Sequence, residues 1–264
     1  MDSSQLLAGL VCAVLCGALG WWVPALIARI PEPEAEPEPE DERDLASPAE
    51  PTAGTDDRTL FSAELPPAPE KQLYADIAAR PRLALWSAIA AAVAGAGLGA
   101  AVGWSGALVY LVPAVPVGVA LFVVDWRTTL LPSWVIKPAY PVLVVLILLA
   151  ALLDRDVTSL ERAAWGWLVV GGWFLGFWFL TGGGGWGYGD VRLSGLLGLA
   201  LGYLGWAEAV GGLLLIFLCG AVGAVVLAVS RRSLRARLPY APYMLVGAWL
   251  GIVLAPSLAT GLGY

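Results

Sequence analysis

Two aspartates, Asp125 and Asp190, are the residues of this sequence whose type and surroundings are suited to chemistry. Asp190 follows "GGGGWGYG" and precedes the apolar run "VRLSGLLGLALG", and Asp125 follows "VPVGVALFVV" and opens "DWRTTLLP". An ionisable residue at the edge of a bilayer is costly, so it is a functional hypothesis by default. Each aspartate also has a structural interpretation: Asp190 as the N-cap of a helix that begins at Val191, and Asp125 as an interfacial charge paired with Arg127.

The residue inventory restricts the chemistry to carboxylates. The chain has no histidine, which excludes His-containing triads, imidazole bases and nearly all catalytic zinc sites. Cys12, Cys16 and Cys219 lie in apolar segments and form no CxxC pair, so we expect no zinc and no cofactor. Two neighbouring carboxylates cannot both ionise cheaply, and such a pair works as an acid and a base on water and a peptide bond. Gly187 and Gly189 fit an active-site loop, because backbone without a Cβ can approach a substrate closely.

The composition requires membrane helices to position these aspartates. With 59% hydrophobic and only 14% charged residues, the chain is unlike a soluble domain, which averages about 25% charged residues. About 20 mainly apolar residues are needed to cross a bilayer. The sequence therefore predicts an all-α, polytopic membrane protein of about eight transmembrane helices, near residues 5–30, 83–103, 106–124, 137–153, 163–181, 191–206, 209–230 and 241–261.

The distribution of basic residues predicts the orientation in a cytoplasmic (inner) membrane. If both termini lie outside, Arg155 and Arg162 are the only two of the fifteen Lys and Arg residues on the outer side, in agreement with the positive-inside rule. Both aspartates then lie at the cytoplasmic face. The acids of the outer connections are expected to be solvated loop charges: Asp154, Asp156, Glu161 and Glu208.

The only long polar segment is residues 31–80, which begins "PEPEAEPEPEDERD" and carries 14 acidic and 4 basic residues. Pro and Glu at this density predict a disordered cytoplasmic loop, either a solvated spacer or an acidic docking surface for a basic partner. This loop accounts for the acidic pI of about 4.7, and no nucleic-acid partner is expected. The predicted organisation is a first transmembrane helix at 1–30, the acidic loop at 31–80, and a seven-helix core at 81–264.

Four stretches resemble the type IV prepilin peptidases, a family of GxGD intramembrane aspartyl proteases. "GYGD" at 187–190, with its continuation, is similar to the family's GxGD motif, and Asp125 with a Leu-Pro ending at Pro132 resembles the family's first catalytic aspartate. "GWWVPALIARIP" at 20–31 is similar to the end of the family's first helix, and "LPYAPYMLVG" at 238–247 resembles its "Pro-Phe-Gly-Pro" opening of the last helix. Presenilins and signal peptide peptidases share GxGD but pair it with Tyr-Asp and Pro-Ala-Leu elements, which are absent here.

The resemblance implies that Asp125 and Asp190 form a catalytic dyad. It also implies that the substrates are prepilin-like proteins, cut at the cytoplasmic membrane face after a short basic leader, with membrane lipid and a pilus or secretion assembly machinery as further partners. Two departures bear on N-methylation by S-adenosylmethionine, which many bacterial members also perform. The acidic segment lacks the four-cysteine zinc module, and Pro24 stands where the family often has asparagine. The sequence thus resembles a peptidase without N-methyltransferase activity.

Two other functions fit the same residues. A transporter or proton-coupled permease would use Asp125 and Asp190 as a proton relay, although transporters favour sites near the midplane and we find no internal repeat. A catalytically silent scaffold would use the acidic loop to recruit an assembly ATPase.

Overall fold

The computed structural model of the chain describes residues 2–32, 73–183, 187–231 and 238–261, and the side chains of 231 and 256–261 are outside it. These residues form helices and short connections. The helices are α1 Ser3–Gly20, α2 Val23–Ile27, α3 Tyr74–Ala78, α4 Leu83–Val102, α5 Leu108–Thr128, α6 Ser133–Asp154, α7 Thr158–Leu180, α8 Tyr188–Leu204, α9 Trp206–Arg231 and α10 Ala241–Gly261.

The predicted all-helical membrane architecture is confirmed. Among the described residues, six helices are long and apolar enough to cross a bilayer, namely α1, α4, α5, α6, α7 and α9. Helix α8 has 17 residues, and Ala241–Ala255 of α10 is a further, shorter apolar stretch. Large apolar side chains point outward, and Leu152 and Val229 are 73% and 74% exposed. Apolar exposure on this scale suits a surface that contacts lipid.

The first predicted segment, 5–30, is not one continuous helix. Helix α1 ends at Gly20, and α2 starts at Val23 after a turn at Trp21 and Trp22. Pro24 lies in the first turn of α2, where its missing N–H has no cost. In an unbroken helix its ring would meet the carbonyl of Gly20, so the proline explains the break.

The end of the predicted acidic loop is helical and packed. Helix α3 buries Tyr74 and Ile77, which are 3% and 1% exposed, and it contacts α2 and α5. The Glu32 carboxylate accepts a hydrogen bond from the Ala75 N–H at 3.1 Å, so the two ends of the segment meet. The prediction of disorder therefore does not hold for residues 73–80, and residues 33–72 of that loop lie outside the described residues.

Close helix pairs build the bundle around α5. Helix α1 packs along α4, α7 along α8, and α9 along α10, while α5 contacts α1, α2, α4, α6 and α10. The α7–α8 contact depends on glycine, because a Cβ on Gly166 would overlap the Gly198 carbonyl and would lie 2.7 Å from the Gly202 Cα. Small residues at such contacts allow apolar helices to approach backbone to backbone.

The boundaries at the two aspartates differ from the predicted ones. Helix α5 extends to Thr128, so Asp125 lies inside its last turn. Helix α8 begins at Tyr188, which makes Asp190 its third residue. Helices α8 and α9, predicted as the segments 191–206 and 209–230, are divided by Gly205.

Candidate active site

Asp125 is buried, and a backbone amide of another helix holds its side chain. The residue is 3% exposed, and its Oδ2 accepts a hydrogen bond from the Ala241 N–H at 3.0 Å. Ala241 is the first residue of α10, so the carboxylate lies against the partly positive end of that helix. Arg127 is exposed, and Asp125 has no ion pair within the described part of the chain, so the interfacial-pair interpretation is wrong.

Asp190 is buried in the first turn of its own helix. It is 8% exposed, and its Oδ2 accepts a hydrogen bond from the Gly187 N–H at 3.2 Å. Gly187, and not Asp190, is the residue before the first helical position. Burial without an ion pair is unusual for an aspartate and is more than a cap requires.

The fold brings the two aspartates into one electrostatic environment, although 65 positions separate them in the sequence. The charge of Asp125 acts unfavourably on a charge at Asp190. Among the described residues, neither carboxylate has a basic partner to offset that repulsion. A shared proton is the ordinary way for two such buried acids to reduce their charge.

The start of α6 positions the first turn of α8. The Arg192 guanidinium donates from Nη1 to the Ser133 Oγ at 2.8 Å, and its Cζ lies 4.5 Å from the centre of the Tyr188 ring. Gly189 packs directly on Leu131. The connection that follows Asp125 therefore contributes residues that contact the first turn of α8. It joins the helix of Asp125 to the surroundings of Asp190.

Tyr240 is a third polar residue beside the pair. It precedes Ala241 and is 6% exposed, and its ring packs on Phe174 with centroids 6.1 Å apart. Burial and the charges of Asp190 and Cys219 raise the pKa of the Tyr240 phenol. In the stretch "PYAP", which resembles the family's "Pro-Phe-Gly-Pro" element, Tyr240 stands where that element has phenylalanine.

At the opposite end of the bundle, Asp154 is not the solvated loop charge that its position predicted. Its Oδ1 accepts from the Gly106 N–H at 2.6 Å, and its Oδ2 accepts from the Tyr203 hydroxyl at 3.0 Å. It lines a cavity of about 310 Å³ together with Arg162 and Glu208. Asp154 therefore ties α6 to the start of α5 and the end of α8, which is a structural role.

Comparison with known families identifies the segment that carries both aspartates. Residues 113–229, from within α5 to near the end of α9, match the model of the type IV leader peptidase family. Over this segment, the chain is similar to the type IV leader peptidase family. No curated protein and no solved structure matches the chain. The apolar helices indicate a multi-pass membrane protein, and the family match supports a protease over the transporter and scaffold alternatives.

All four residues predicted for the site lie in one region of the fold. Asp125, Asp190, Gly187 and Gly189 lie at one end of the bundle, within the segment that matches the family. Sequence reasoning missed the groups that hold them, which are the Ala241 amide and the side chains at the start of α6. The "LLP" and "PYAP" stretches indicated that these regions belong to the site. The sequence does not show, however, which backbone amide donates to which carboxylate.

Proposed function

We propose that this protein is an aspartic endopeptidase that removes the basic leader from prepilin-like proteins at the cytoplasmic face of the inner membrane. The observation that carries the proposal is the pair of buried carboxylates without basic partners among the described residues, Asp125 on α5 and Asp190 on α8. Similarity to the family supports a leader peptidase in general. The absence of histidine from the sequence supports carboxylates as the reacting groups.

The mechanism follows from the sharing of one proton between the two carboxyls. The ionised member accepts a proton from water, and the water oxygen attacks the peptide carbonyl. The protonated member donates to the carbonyl oxygen, which becomes the hydroxyl of a tetrahedral intermediate. Collapse of that intermediate breaks the C–N bond, and a proton is delivered to the departing amine. The Ala241 and Gly187 amides each donate to one carboxylate and so keep the two oriented.

The test is cleavage of a purified prepilin by detergent-solubilised protein. Asp125→Asn and Asp190→Asn should each abolish cleavage at the leader junction, and the double variant should cost little more, because residues that act as a unit are not additive. Glu161→Gln is the matched control: this residue is exposed at the other end of the bundle and should be silent. Substantial cleavage by either single Asn variant would contradict the two-aspartate mechanism. If the parent protein does not cleave the prepilin, the proton-relay alternative would be favoured instead.

We also propose that the protein lacks N-methyltransferase activity. Support comes from the acidic segment, which contains no cysteine, and from Pro24, which has no side-chain amide. Mass spectrometry of the trimmed substrate, with and without S-adenosylmethionine, tests this. The mass of the new N-terminus should be the same in both reactions, and an added methyl group would refute the proposal.

A further inference from the structure

The first turn of α8 carries Asp190 and needs external support. A helix begins with amides that have no partner inside the helix, and helix ends fray. The only side-chain hydrogen bond that Asp190 accepts among the described residues comes from Gly187, at the same fraying end. An acid that must keep a fixed distance from Asp125 cannot rely on this bond alone. Rigid contacts from neighbouring helices are required to hold it.

Tyr140 of α6 supplies such a contact. Its hydroxyl donates to the carbonyl oxygen of Arg192 at 2.6 Å, two residues after Asp190. The bond is short and partly buried, and it joins the middle of α6 to the turn that carries the acid. Gly195 makes the approach possible, because a Cβ there would overlap the Tyr140 hydroxyl.

Trp167 packs at the same contact. Its Nε1 would lie 3.0 Å from a Cβ on Gly195, the glycine that admits the Tyr140 hydroxyl. Trp167 opens the π-helical turn of α7, Trp167–Gly171, which packs on α8. Such widened turns recur at functional sites.

We propose that Tyr140 is a positioning residue for Asp190: its hydroxyl holds the Arg192 carbonyl and so fixes the turn that carries the acid. This rests on the proposed function, since it assumes that Asp190 is one of two reacting carboxyls. In this proposal Tyr140 acts through the backbone of α8 and not on the substrate directly. Its loss should therefore affect turnover and leave substrate binding unchanged.

Tyr140→Phe tests the proposal, and the chain offers a matched control. Tyr110 also donates its hydroxyl to a carbonyl of α8, that of Ala200 at 2.9 Å, but at the far end of the helix. Tyr140→Phe should lower kcat about tenfold with KM unchanged, since small misplacements of a reacting group reduce rates strongly. Tyr110→Phe should keep kcat within about twofold of the parent. Titration with a hydroxyl-containing peptide inhibitor of aspartic proteases counts the folded sites, so the rates refer to assembled enzyme.

A second measurement separates positioning from general loosening. The affinity of the same inhibitor, which imitates the tetrahedral intermediate, should fall in Tyr140→Phe by the same factor as kcat/KM. Unchanged affinity for this inhibitor in Tyr140→Phe would overturn the positioning role.

The outcomes distinguish this proposal from the function on which it rests. If Asp125→Asn cleaves like the parent, the two-aspartate mechanism fails and the positioning role fails with it. If Asp125→Asn is inactive while Tyr140→Phe equals Tyr110→Phe in kcat, only the positioning role is overturned. An equal loss in both tyrosine variants overturns the positioning role as well, because it would reflect the stability of α8 as a whole.

Discussion

Substitution of the two glycines of "GYGD" should have unequal effects, although both belong to the same motif. A Cβ on Gly189 would lie 2.8 Å from the Leu131 Cβ and 3.3 Å from its Cδ1. A Cβ on Gly187 would meet only the Asp190 Oδ2 at 3.5 Å and the Gly189 backbone nitrogen at 4.0 Å, which are ordinary contacts. The φ and ψ angles of Gly187, −66° and 145°, suit any residue. Gly189→Ala should therefore impair the enzyme, and Gly187→Ala should not.

The size of the effect follows from the contact distance. Carbon atoms rest about 3.5–4.0 Å apart, so Gly189→Ala must push Leu131 and the first turn of α8 apart by roughly 1 Å. The Leu131 Cβ is attached to backbone and cannot rotate away, so the displacement reaches Asp190. A misplacement of about 1 Å can cost about a hundredfold in rate. Overpacking costs about 1–3 kcal/mol of stability, and alanine returns up to about 1 kcal/mol of helix propensity.

The assay is kcat/KM on a fluorogenic prepilin-junction peptide, with folding checked by thermal unfolding in detergent. Gly189→Ala should lose roughly a hundredfold and Gly189→Val more, while Gly187→Ala stays within a few-fold. Gly176→Ala is the neutral control, because a Cβ at Gly176 meets nothing within 4 Å. Leu131→Gly should restore part of the Gly189→Ala activity, whereas Leu131→Ala, which keeps the Cβ, should not. Equal losses at Gly187 and Gly189, or rescue by Leu131→Ala, would refute the steric argument.

Three further predictions concern the rest of the chain. Asp154→Ala leaves two buried donors unsatisfied and should lower the free energy of unfolding by about 1–3 kcal/mol, seen as a lower Tm, with kcat per folded molecule unchanged; a large kcat loss would instead connect that end of the bundle to catalysis. Replacement of residues 34–60 by a Gly/Ser linker should leave peptide hydrolysis within a few-fold, because that segment contains no candidate reacting group, and loss of cleavage in a folded variant would assign it a substrate role. In inside-out vesicles, a membrane-impermeant thiol reagent should label Leu73→Cys but not Val157→Cys, both of which replace exposed residues, and the reverse pattern would invert the topology.

The sequence by itself determined the class of the protein and led to the proposal of its reacting groups. A hydrophobic stretch long enough to span a bilayer must form a helix, because lipid offers no partner for its backbone, and this physical constraint made the all-helical membrane architecture predictable. The absence of histidine left carboxylates as the available acid–base groups at the membrane face, which drew attention to Asp125 and Asp190. Pro24 also carried a readable signal for the break between α1 and α2, although the length of the apolar run favoured one helix.

Only the tertiary structure decided what surrounds each charge. Asp154 and Asp190 both border apolar runs, yet one ties three helices together and the other lies buried beside a second acid. The difference arises from partners far away in sequence: the Ala241 amide reaches Asp125 across 116 positions, and the Tyr140 hydroxyl reaches the Arg192 carbonyl across 52. Hydropathy determines which segments enter the membrane, but it contains almost no information on the rotation of each helix about its own axis. That rotation is set by close packing of small residues and by single hydrogen bonds, and it is what turns two separated aspartates toward each other.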